Sequence, residues 1–177
     1  MINLAVNNSM KTHHMIECPC LEQIQREALN WIKQETDLLT SADEFWNKID
    51  YKHFILLNPT LALYCTKTLK LIIREVAVLV AHSPAGVPLH TDEPPVIAKM
   101  NFPILNTKDT YTEWWDNEQL IDRVECTQPM VFNSSIPHKV CIGSTAVLPR
   151  VSISCMFYKE PIELLQADLP SFAEAQE

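Results

Sequence analysis

From Ile72 to Tyr158 the chain is cut into short runs rich in valine, isoleucine, threonine and aromatic residues, each stopped by proline, asparagine, aspartate or serine. Such side chains suit a pleated, half-buried surface, and proline is confined to strand ends and edges because it cannot donate to a ladder. The spacing predicts strands over Ile72–Ala81, Val87–His90, Val96–Leu105, Thr110–Trp115, Gln119–Glu125, Pro129–Phe132, His138–Ile142 and Val147–Tyr158. Eight short strands preceded by helices fit a two-sheet antiparallel jelly roll with a helical buttress on one side, a mainly β fold.

The preceding residues read helical. After Pro19, the residues Leu21, Ile24, Ala28, Leu29 and Ile32 recur at the three-to-four spacing of an amphipathic helix. A second helix is expected at Asn58-Pro59, with Asn58 as N-cap and Pro59 at the first helical position, where its missing N–H does no harm. It would carry Leu61, Leu63, Tyr64 and Leu69. A short closing helix is expected over Pro161–Leu169. The expected organisation is one domain over residues 1–177: helical support over 1–70, jelly-roll core over 71–158 and a tail over 159–177.

Composition narrows the function. With 47% hydrophobic against 20% charged residues, the chain can bury a core. Its net charge of −8 argues against nucleic acid or an anionic membrane as partner, since both select for positive charge. No apolar run approaches the ~20 residues of a membrane span. Met1–Lys11 lacks the basic start and apolar stretch of a secretory signal, so a soluble, cytoplasmic protein is expected. The six cysteines are expected as reduced thiols, with Cys141 and Cys155 in apolar runs and therefore buried. Only Gly86 and Gly143 are glycines, which excludes the glycine-rich phosphate loops.

The candidate chemistry lies in His90-Thr91-Asp92, His138 and Arg150-Val151-Ser152. Residues two apart on a strand share a face, so His90 and Asp92 can reach one metal ion, and His138 on a facing strand would complete three ligands. Two imidazoles and a carboxylate leave three positions open, an arrangement that suits non-haem Fe(II). The absence of a cysteine ligand argues against structural zinc. With six histidines, about one H-x-[DE] arises by chance, so the weight rests on the residues downstream of it. Arg150 and Ser152, on one strand face, form a pair able to grip a carboxylate.

This order of residues resembles the Fe(II)/2-oxoglutarate-dependent dioxygenases, over roughly Val76 to Phe157. The phrases LHTDEPPVIAKMNFPI and MVFNSSIPHKV are most similar to the aspartyl/asparaginyl β-hydroxylase and proline-hydroxylase branch. The resemblance implies a double-stranded β-helix, which is a jelly roll of the cupin type, and iron held by His90, Asp92 and His138. It implies the distal carboxylate of 2-oxoglutarate on Arg150 and Ser152, with Lys99 and Asn101 at further cosubstrate-binding positions where the branch carries a basic residue and a histidine. It further implies O2 as co-reactant, ascorbate as an in vitro additive, and hydroxylation of a small molecule or an amino-acid or peptide side chain with succinate and CO2 released. Position 156 is Met, so the second arginine of the nucleic-acid-repair branch is missing; Asp92 is present, unlike in the halogenating relatives.

Other readings stand beside this one. A jelly-roll module that binds without turnover, or a cupin-type metalloenzyme without 2-oxoglutarate, would need no arginine facing the metal. His13, His14, Cys18 and Cys20 lack the spacing of a zinc finger and read as a loose leader. Of Trp114 and Trp115, one must face inward; Trp114 is a candidate to flank substrate. Asn133 is a turn former, a partner of His138 or, with Trp114, a further candidate to contact substrate.

Overall fold

The computed structural model describes residues 10–35, 46–92 and 96–166. Its first helix, α1 (Leu21–Ile32), buries Ile24, Ala28 and Ile32 of the expected stripe and adds Trp31, whereas Leu21 and Leu29 at the stripe's edges are only half-buried. A short helix α2 (Tyr51–Leu57), not foreseen, starts where the Asp50 side chain accepts a hydrogen bond from the His53 N–H. Helix α3 (Pro59–Leu63) comes next, as expected: Asn58 Oδ1 accepts from the Leu61 N–H at 3.1 Å, and its amide donates to the Ile24 carbonyl at 3.0 Å, so one cap also ties two helices. The helix is shorter than the periodicity suggested, ending in a π turn over Tyr64–Thr68 that leaves Leu63 exposed.

Ten strands succeed one another in the described chain: β1 (His13–Met15), β2 (Trp46–Ile49), β3 (Ile73–Ala81), β4 (Val87–His90), β5 (Ala98–Leu105), β6 (Thr110–Asp116), β7 (Gln119–Glu125), β8 (Met130–Asn133), β9 (His138–Ile142) and β10 (Arg150–Phe157). Six make one antiparallel sheet, β1-β8-β5-β10-β3-β2, and four make the other, β4-β9-β6-β7. The jelly-roll expectation holds, with two corrections. Residues 13–15 are not a loose leader but an edge strand on β8, and residues 46–49 add an edge to β3, so the helical stretch supplies strands as well. Both strands are too short for an alternating pattern to register. Pro161–Leu169 forms a 3-10 turn over Ile162–Leu165, and its end lies outside the described residues. Gly86 has a φ of +66°, and a Cβ there would stand 2.1 Å from the Val140 carbonyl oxygen, so β4 can approach β9 only with glycine at its entrance.

The two faces of the large sheet differ in kind. Val76, Val78, Val80, Met100, Phe102, Val151, Ile153 and Cys155 alternate onto the face covered by the helices, where they join Ile24, Ile32, Phe54 and Leu61 in the main core. Each such side chain contributes ~1.5–3 kcal/mol by leaving water. The intervening positions Arg150, Ser152 and Ser154 face the small sheet, and they are polar and buried. The space between the sheets is therefore not an ordinary apolar core. All six cysteines are free; Cys155 is buried as expected, whereas Cys141 is half-exposed on the outer face of the small sheet. Among the described residues, no helix is long and apolar enough to cross a membrane.

Candidate metal centre

The β4–β9 ladder sets His90 directly opposite His138, with ring centroids 4.5 Å apart. Each Nδ1 meets a backbone carbonyl two residues back, Pro88 at 2.8 Å and Ile136 at 2.9 Å. A carbonyl only accepts, so each Nδ1 carries a proton, which turns Nε2 of each ring toward the cluster as the nitrogen that can bind a metal. Burial lowers the pKa of His138 below its ordinary value, against the opposing effect of the Ile136 bond, which keeps that lone pair available.

Asp92 is positioned differently from the expectation. β4 ends at His90, and Asp92 is fixed not by strand geometry but by its N–H, which donates to the Ser134 carbonyl at 3.1 Å. Ser134 in turn donates its N–H to the Ile97 carbonyl at 2.8 Å and its hydroxyl to the Val96 carbonyl at 3.1 Å. This buried serine pins both sides of the carboxylate's loop. Its signal lay in the segment MVFNSSIPHKV, where serine beside Asn133 reads only as a turn residue.

The outcome is one cluster: a ligand atom from each of His90, Asp92 and His138 lies within 4.8 Å of the others. Two borderline nitrogens and one hard oxygen fit Fe(II) or a similar divalent cation. The cluster opens into a cavity of about 200 Å³, walled by Leu79, Phe132 and Val140, with Lys99, Asn101 and Thr112 as further polar groups. The Lys99 ammonium is buried and ion-paired with Asp92. Burial lowers its pKa, and the Asp92 charge partly offsets this.

Arg150 is buried, not turned to solvent, and reaches across to the small sheet. Its Nε donates to Thr110 Oγ1 and one terminal nitrogen to Ser152 Oγ, both at 3.3 Å. Thr110 spends its own proton on the Thr107 carbonyl at 2.7 Å, so it can only accept from Arg150 and so orients the guanidinium. No carboxylate pairs with Arg150 among the described residues. The cavity reaches Thr112, one inward position short of Thr110 and two residues from Trp114, which pairs with His138. At ~3.4 Å per residue, the Thr110 rung that Arg150 bonds stands ~14 Å along β6 from the Trp114 rung opposite His138. Two more polar atoms, Asn101 Oδ1 and Ser154 Oγ on facing positions of β5 and β10, are buried without a partner among the described residues. Thr110 and Thr112 were missed in the sequence because isolated strand threonines carry no distinctive spacing.

The two weaker candidates lie apart from this cavity. Trp114 is wholly buried, its indole N–H donates to the Asn133 carbonyl at 3.0 Å, and His13 stacks on its ring at 5.3 Å. It backs the histidine rung rather than lining the cavity. Asn133 turns its Oδ1 to the N–H and hydroxyl of Ser135 at 3.1 and 2.6 Å, the work of a turn former.

No family model and no curated protein matches the sequence. Solved structures do resemble it. EvdMO1 superposes with a TM-score of 0.53 at 12% identity over 84% of this chain and 47% of that one, so the chain spans about half of that protein. AviO1 from Streptomyces viridochromogenes Tue57 gives 0.51 at 12% identity, over 84% and 90% of the two chains. A Pseudomonas putida prolyl-4-hydroxylase gives 0.52 at 14% identity, over 83% and 92%. At such identities the likeness establishes the fold: the chain is a double-stranded β-helix with a helical buttress, shared with a hydroxylase.

Proposed function

We propose that the protein is an Fe(II)- and 2-oxoglutarate-dependent dioxygenase of the aspartyl/asparaginyl and prolyl hydroxylase type. It hydroxylates a C–H bond of a small molecule or an amino-acid or peptide side chain, releasing succinate and CO2. The observation that carries this reading is a divalent-cation donor set and a buried arginine without a carboxylate partner among the described residues, aligned along the inside of one barrel. A desolvated guanidinium is costly unless an anion joins it, which supports a carboxylate as the group Arg150 takes up in this reading.

In this reading His90, His138 and Asp92 hold the iron, which when bound supplies O2 activation with 2-oxoglutarate as electron source. Arg150 offers its remaining N–H groups to the distal carboxylate. Ser152 Oγ already accepts from Arg150, which leaves its hydroxyl proton for the same carboxylate. Leu79, Phe132 and Val140 keep water from the reacting end. Adding Fe(II) and 2-oxoglutarate anaerobically is expected to produce a weak visible charge-transfer absorbance; folded protein that gives no band overturns the proposal.

The Lys99–Asp92 pair favours a second reading, in which the lysine satisfies the carboxylate permanently and the barrel binds an anion without metal or turnover. Retention of 2-oxoglutarate with no uptake of divalent metal would support that reading.

A further inference from the structure

Lys99 lies on the inward face of β5, opposite Phe132 of β8, with its ammonium 5.3 Å from the Phe132 ring centre. Its side chain is 7% exposed, and it is ion-paired with Asp92, one of the three donors at the proposed centre. The ammonium sits on Asp92 Oδ2, whereas Oδ1 is the oxygen nearer His90, and a divalent cation held there would stand a few ångströms from the ammonium, so the two like charges compete for one carboxylate. Resting on the proposed metal centre, we infer that Lys99 is an internal counter-ion which holds Asp92 in the metal-free barrel and is displaced from it when the metal binds.

The charge count shows what displacement does. Counting only Lys99, Arg150 and Asp92 among the described residues, the metal-free barrel carries one positive charge in excess. A divalent cation held by His90, Asp92 and His138 adds two more positive charges to that set. The displaced ammonium stays on the cavity wall with Asn101 and Thr112, where an anionic ligand takes the place of Asp92 as its partner. Metal uptake thus creates the positive field that a dianion needs, and the two ligands reinforce each other.

The test is Mn(II) binding without 2-oxoglutarate, tracked by loss of the free-ion EPR signal, together with thermal unfolding with and without Mn(II). Lys99→Met removes the competing charge at similar volume and is expected to tighten Mn(II) binding roughly tenfold, with a larger metal-induced rise in Tm than in the parent protein. Lys99→Arg, which keeps the charge, is expected to bind Mn(II) no more tightly than the parent. If Lys99→Met fails to fold alone, Lys99→Gln keeps a hydrogen-bond donor for Asp92 and is expected to show the same tightening; recovery of folded Lys99→Met by saturating Mn(II) also supports the inference. Parent protein that binds Mn(II) while the folded variants bind it equally or more weakly overturns the counter-ion role alone. Absence of Mn(II) binding in every form overturns the metal centre itself.

Discussion

Ser134 and Asp92 are joined by a backbone hydrogen bond of 3.1 Å, and through it the loop before β9 dictates where the only carboxylate of the His90–Asp92–His138 cluster stands. The serine hydroxyl adds bonds to the Val96 and Ile97 carbonyls. Removing it in Ser134→Ala leaves the backbone bond but loosens its anchor. The expected cost is about 1 kcal/mol of stability by urea denaturation. A several-fold weaker Mn(II) affinity should accompany it; unchanged affinity would show that the backbone bond alone places Asp92.

His138→Ala takes away one of two nitrogen donors at a buried position. Metal uptake and substrate-stimulated succinate formation should both be lost, as read by metal analysis and succinate assay. A variant that keeps full activity would remove His138 from the donor set.

Arg150→Ala separates the cosubstrate end from the metal end, because Arg150 bonds Thr110 and Ser152 and none of the three donors. The 2-oxoglutarate concentration for half-maximal activity should rise about tenfold or more, while Mn(II) affinity changes little. The reverse pattern in a metal and 2-oxoglutarate titration would mean that the carboxylate clamp lies elsewhere.

Glu27 of α1 receives the Thr60 N–H at 3.0 Å, the Thr60 hydroxyl at 2.6 Å and the Gln23 amide at 2.7 Å. Partial burial raises its pKa, but these hydrogen bonds outweigh burial and leave it below the ordinary 4.5. A carboxylate lowered on folding contributes stability that is present above its unfolded pKa and lost as pH falls through its folded value. The parent protein should therefore lose its advantage over Glu27→Gln as pH drops from ~7 to ~3, with urea midpoints converging at the acid end. A constant difference across that range would assign the effect to shape rather than charge.

The strands of the barrel were readable because their period is two and proline marks their ends. Arg150-Val151-Ser152-Ile153-Ser154-Cys155 displays the alternation openly, apolar residues toward the helices and polar ones toward the small sheet. The Asn58 cap was equally local, since one side chain and the next three residues decide it. By contrast, β1 and β2 owe their form to the edges they pair with, not to their own few residues. His13 shows this best: its ring stacks on Trp114 and meets Asp122, which lie far along the chain.

What the residue order determined alone was the set of groups capable of chemistry: two histidines, an aspartate and an arginine-serine pair on β-forming segments. What required the tertiary structure was their meeting. Register across β4 and β9 sets His90 against His138, Ser134 brings in Asp92, and Lys99 arrives from the opposite sheet to neutralise it. Such pairings join positions on separate strands and loops, and a one-residue slip in any ladder would turn those side chains to the other face. Local spacing determines which face a residue occupies, whereas the packing of two sheets decides what that face encloses.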